Sequence, residues 1–182
     1  MKKITLYLSA FIPLYFLIII KIIIDIINAN LSFNVLNTLT LILLTILIIV
    51  GSFGAFNAVK HPNTTTTTIN IIQKTPITEK YFLGYFSLFV LFALSFELER
   101  VSMFVVFVLI IILIGIVYIK NDLFYINPFL NILGYNFYDI TYTDEKDKQQ
   151  KAKFLCKGKL DITQSKHKAK LSHENFSMIL ED

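Results

Sequence analysis

Residues 101–119 read VSMFVVFVLIIILIGIVYI, an uninterrupted apolar run that ends at Lys120. A run of this length predicts a membrane-crossing helix, because about 20 apolar residues at roughly 1.5 Å each traverse the hydrocarbon of a bilayer. Three more such blocks precede it. Residues 36–59 carry no charge before Lys60. Residues 4–27 are apolar except for Lys21 and Asp25, which lie four apart on one helical face. Near a membrane surface such a charge pair can bond across one turn while the lysine snorkels outward. Residues 81–98 form the shortest block, uncharged from Tyr81 to Phe96, and span only by reaching Leu98 or by local thinning of the bilayer. The fold expected from these blocks is an all-α membrane protein of four transmembrane helices, paired as two helical hairpins over residues 1–120. A small cytoplasmic β-containing C-terminal domain over residues 121–182 is expected to follow. Residues 28–33 supply the first turn, and Glu97, Glu99 and Arg100 the second.

Composition points the same way. Hydrophobic residues make up 55% of the chain and charged ones 16%, against about 25% charged in soluble domains. Most of the charge lies after Lys120. A soluble core of this size could not bury so much Ile, Leu, Val and Phe, whereas a bilayer solvates it directly. Lys2 and Lys3 before an apolar run resemble a secretory signal. The run exceeds the roughly 7–15 residues of a signal core and no small-residue cleavage pattern follows, so a retained anchor is expected. The single cysteine, Cys156, excludes an intrachain disulfide and is expected to be a small buried residue in a reducing compartment.

Fifteen of the seventeen lysines and arginines fall before the first block, in residues 60–80, or from Lys120 onward. The positive-inside rule then puts both termini and the 60–80 loop in the cytoplasm. That loop contains Pro62, the run Thr64–Thr68, Ile69, Ile71, Ile72 and Pro76, a composition that suits a strand. In the tail, Asn127 reads as an N-cap, Pro128 as the first helical position and Gly134 as the terminator of one short interfacial helix. Residues 137–142 read as a strand, 144–150 as a polar turn and 152–157 as a return strand, with a further extended or helical piece at 171–180. An isolated hairpin is marginal in water, so a third strand is needed, from the 64–72 loop or from a partner.

Gly51 with Ala55, and Gly54 with Ala58, are small-xxx-small pairs, which let helices approach closely either within the chain or between copies. Asn37, Thr38, Thr40 and Thr45 are more consistent with bonds to neighbouring backbone than with a polar path. His61, His167 and His173 lack metal-ligand spacing, and the sequons at Asn63 and Asn175 face the wrong compartment. No Gly-rich phosphate loop, nucleophile–base pair or paired acids are present, so no enzyme, cofactor or metal site is expected. Residues 146–170 hold nine lysines against Asp147 and Asp161. Such a block suits a solvated surface without a role, anionic headgroups or an acidic protein face better than nucleic acid. The partner contact is expected at Tyr138, Lys151, Lys153 and Lys157, although alternation also sends Tyr138, Ile140 and Tyr142 to an apolar face.

The junction Asn127-Pro128-Phe129-Leu130-Asn131-Ile132-Leu133-Gly134-Tyr135-Asn136-Phe137-Tyr138-Asp139-Ile140 resembles that of the KwaA family, membrane subunits of the Kiwa anti-phage defence system. The resemblance covers the whole chain in layout and residues 121–142 in motif. It implies a homo-oligomeric sensor of phage attack in the bacterial inner membrane that holds a cytosolic DNA-binding effector, KwaB. The residues alone leave a small oligomeric pore and a transporter subunit as rival readings. Short outer turns leave little surface for a soluble ligand outside, which favours a protein that responds to the bilayer and reports inward.

Overall fold

The computed structural model describes residues 2–28, 35–60, 65–95, 100–143, 148–161, 167–171 and 176–180. Within the first apolar block, Pro13 stands at the start of a second helix rather than inside one. Proline has no N–H to donate, and its ring collides with the preceding turn of a continuous helix. The block therefore divides at Phe11 into α1 (Lys2–Ala10) and α2 (Ile12–Ile27), bent by 48°. α3 (Val35–Lys60) runs back along both. α4 (Thr78–Ser95) packs on α2, and α5 (Val101–Lys120) packs on α1. A 3-10 turn (Leu123–Tyr125) and α6 (Pro128–Ile132) lead into the tail.

This architecture corrects the four-span, all-α expectation. Among the described residues only α3 and α5 are long and apolar enough to cross a membrane, with a third crossing if the bent α1–α2 pair is one span. α4 falls short because it begins Thr78-Glu79-Lys80, which leaves an apolar stretch shorter than the roughly 20 residues a bilayer needs. The β structure is also larger than a tail appendage. Five strands, β1 (Thr65–Pro76), β2 (Tyr135–Thr143), β3 (Gln149–Lys157), β4 (His167–Leu171) and β5 (Ser177–Ile179), close a barrel in the order β1-β2-β3-β5-β4. The fold is thus six helices plus a closed barrel among the described residues.

β1 makes closure possible. Its first part, Thr65–Ile69, pairs with β4, and its second, Asn70–Pro76, pairs with β2. The register slips between Ile71 and Gln73. A bulge there bends the strand sharply enough to serve two neighbours. β2 and β3 form an unbroken antiparallel ladder from Tyr135↔Lys157 to Thr143↔Gln149, and β3 meets β5 in parallel. The interior is filled by Ile69, Tyr138, Ile140, Tyr142, Phe154, Cys156, Leu160, Ala169 and Ile179. Cys156 is buried there, its thiol donating to the Lys157 carbonyl at 3.4 Å.

α6 matches its sequence grammar. Asn127 caps it by accepting from the Leu130 N–H at 3.1 Å, Pro128 follows, and Gly134 adopts a left-handed φ of 85° where the chain turns into β2. Residues 29–33 of the first expected turn, Glu97 and Glu99, Pro62, His61, His173, both sequon asparagines and Lys146 lie outside the described residues.

Candidate functional site

The helices and the barrel meet at a joint built around Asn127, which is fully buried. Its Oδ1 caps α6, while its Nδ2 donates to Ser9 Oγ at 2.8 Å and to the Leu6 carbonyl at 3.4 Å. Ser9 Oγ in turn donates to the Leu6 carbonyl at 2.7 Å. One side chain therefore ties the last turn of α1, just before the break, to the first turn of α6. An amide with several partners in an apolar setting is costly to remove, because each partner would be left unsatisfied.

Other ties surround it. The Tyr7 hydroxyl donates to the Ile111 carbonyl of α5. Its ring fits there because Gly115 has no side chain, whose Cβ would lie 2.8 Å from it. Tyr118 donates to the Ile126 carbonyl at 2.9 Å. Thr78, at the start of α4, accepts the Phe137 N–H at 2.8 Å, and the Ile77 N–H donates to the Phe137 carbonyl at 2.9 Å. At the surface Lys3 meets Asp122 at 2.7 Å, with its ammonium 5.6 Å from the Phe124 ring centre.

These ties enclose a continuous apolar core. Tyr7, Phe11 and Tyr15 from the broken helix, Phe89 from α4 and Phe107 and Tyr118 from α5 belong to the same cluster as Leu130 of α6. So do Phe137, Leu155 and Phe176 on the outside of the barrel. The barrel thus has two apolar faces: an interior of its own, and an outer patch seated on the helices. Alternation along β2 separates Phe137 from Tyr138, as expected, but Phe137 is as buried as the interior residues.

The expected partner residues divide. Tyr138 is turned into the barrel, 6% exposed, with its hydroxyl accepting the Leu160 N–H at 3.3 Å and Lys74 lying over its ring. It is therefore an interior residue and not a surface contact, because alternation along β2 puts it on the barrel's inner face with Ile140 and Tyr142. Lys151, Lys153 and Lys157 are exposed on β3. Lys151 pairs with Asp139 at 3.0 Å, and Lys153 sits 3.6 Å over the Tyr125 ring. Lys153 and Lys157 flank Leu155, which points into the joint, so this basic strip borders the helices.

Gly51, Gly54 and Ala55 are buried and Ala58 is half-buried. A Cβ on Gly51 would lie 3.0 Å from the Leu8–Ser9 backbone, and one on Gly54 would lie 2.5 Å from Thr5. The small face of α3 is therefore occupied by the chain's own α1. Lys21 donates to the Leu94 carbonyl at 3.4 Å, across to α4, and Asp25 is half-buried. No ion pair joins the two among the described residues. Asn37 and Thr40 are buried, and the Thr40 and Thr45 hydroxyls donate to carbonyls four residues back. Sequence reasoning missed Ser9 and the break it precedes. The signal was there: a lone serine in an apolar run four residues before a proline.

Comparison with known proteins gives one match. A family model described as "Anti-phage protein KwaA" covers residues 2–177. No curated protein and no solved structure matches the chain.

Proposed function

The chain belongs to the KwaA family of anti-phage proteins and so has a role in anti-phage defence, and from that premise we propose that it is a membrane sensor and scaffold. In this reading the helices respond to disturbance of the bilayer during phage attack. The barrel, facing the cytoplasm, holds a DNA-binding effector of the KwaB kind. One observation carries the reading: a single apolar core passes from the helices through α6 into the outer face of the barrel. Packed cores shift between discrete arrangements rather than deforming smoothly. A change in helix packing would therefore reposition the barrel as a body. The lysines of β3 supply a basic strip suited to an acidic partner surface. Self-association is part of the proposal, and with Gly51 and Gly54 used inside the chain its contacts fall on other faces.

The test is co-purification of the effector with the full chain from membranes, run beside a phage-protection assay. Replacing Lys151, Lys153 and Lys157 by Glu should lower capture by about tenfold or more, as reversed charge does at a steered interface. Asn127→Ala should keep capture but lose protection, because it cuts the tie between α1 and α6. Full capture by the charge-reversed chain would remove the scaffold, and full protection by Asn127→Ala would remove the coupling. Ion leakage from liposomes holding the chain alone would instead favour a pore.

A further inference from the structure

α3 and α5 both pack against α1 and leave a trough between them. The cavity is about 660 Å³, with Leu43 and Leu47 of α3 on one wall and Ile112 and Ile116 of α5 on the other. Tyr7 and Leu8 of α1 form its floor. The Tyr7 hydroxyl is satisfied by the Ile111 carbonyl, so the floor presents no unpaired polar group from this side chain. The α5 side runs from Phe107 to Lys120, which is roughly 20 Å of helix at 1.5 Å per residue. That is slightly more than one leaflet of a hydrocarbon core about 30 Å thick. Lys120 is the one charged residue among the described lining residues. It is exposed, in the last turn of α5, at the end nearest the barrel.

We propose that this trough is a binding site for an anionic phospholipid of the barrel-side leaflet, with one acyl chain along the groove and the headgroup phosphate on Lys120. Three features select a lipid over a second copy of the chain. The walls are large aliphatic side chains and the glycine of the lining, Gly115, is already covered by the Tyr7 ring, whereas helix pairs in membranes need free small residues to bring backbones together. The small residues of α3 are already committed to α1. The single cation sits at the end where headgroups lie, and basic pockets between helices at that depth recognise anionic headgroups. The site rests on the membrane reading and deepens it, because a lipid wedged between α3 and α5 over Tyr7 would set the packing of the helices that hold the joint.

The experiment uses the full chain in two stages. Carbonate-washed membranes test whether the chain is integral. The detergent-purified chain is then offered phosphatidylglycerol or phosphatidylcholine, and retained lipid is counted by native mass measurement. Preferential retention of phosphatidylglycerol is expected. Lys120→Gln should cut that preference about fivefold, the weight of one lysine near the surface, and leave the chain folded because the side chain is exposed. Ile112→Trp should fill the groove and expel both lipids. A chain that washes off the membrane fails both readings. An integral chain that holds the two lipids equally, or that is unchanged by Lys120→Gln, overturns this one alone. So does loss of a dimer rather than of lipid in Ile112→Trp.

Discussion

The helical region and the barrel use the same apolar side chains in opposite ways. In the barrel Ile140 and Phe154 are fully buried and the lysines of β3 face out. In the helices Ile49, Leu113 and Ile116 are more than half exposed, while Ser9, Asn37, Thr40, Gly51 and Gly54 lie inside. The barrel is therefore held by removal of apolar surface from water. The helices combine the aromatic cluster of the joint with close backbone approach of α3 to α1 and a few hydrogen bonds, the kind of packing that the proposed membrane setting would favour. The joint at Asn127 is where the two regimes meet, which is why a polar side chain is needed in the middle of an apolar core.

That contrast is open to direct attack. Phe154→Ala should give the largest effect, destabilising the barrel by about 3–5 kcal/mol through lost burial and a cavity. Limited proteolysis of the full chain, with cleavage at the barrel lysines, reads it out. An unchanged cleavage rate would mean that the barrel interior is not its stabilising core. Gly54→Leu comes next. It drives a side chain into Thr5 and should destabilise the α1–α3 packing by about 1–3 kcal/mol, seen as a lowered melting point in detergent. Gly84→Leu is the matched control, since nothing lies within 4 Å of a Cβ at Gly84. Equal effects at the two glycines would break the claim of close approach. The smallest effect belongs to Ile49→Ala on the exposed face of α3. In bilayer-mimicking micelles its melting point should move by no more than an ordinary surface substitution, within about 0.5 kcal/mol. A loss as large as a core truncation would show Ile49 buried by something other than lipid.

How far the sequence disclosed this follows from the range of the interactions. The helical character of all four apolar blocks was legible because the length of an uncharged apolar run is a local property, and the capping residues Asn127, Pro128 and Gly134 marked α6. The break at Phe11 had a local signal in Pro13, outweighed by the length of the apolar run around it. The shortness of α4 was visible in Glu79 and Lys80 and was offset by appeal to a thinner bilayer. Barrel closure was not legible, because it depends on β1 pairing with strands more than sixty residues away. The extended character of 64–72 was legible, and the segment stood beside a partner protein as a source of the third strand, but its continuation to Pro76 and its second neighbour were not legible. β4 was hidden in the lysine-rich block, although His167, Ala169 and the intervening lysines alternate in the two-residue rhythm of a strand. For the candidate site, the lysines of β3 were legible as exposed. The tie between Asn127 and Ser9, over a hundred residues apart, was not.

The placement of β1 has a consequence for biogenesis. Between β1 and its partner β2 the chain makes α4, α5 and α6. During synthesis β1 is therefore complete long before either strand that pairs with it exists, and its unpaired edges are a liability for that interval. Closure of the β1–β2 pair must wait until α4, α5 and α6 have been made. The barrel then becomes a checkpoint on synthesis: it can close only after α4, α5 and α6 have been made, so a chain stopped short of β2 leaves β1 without either of its neighbours.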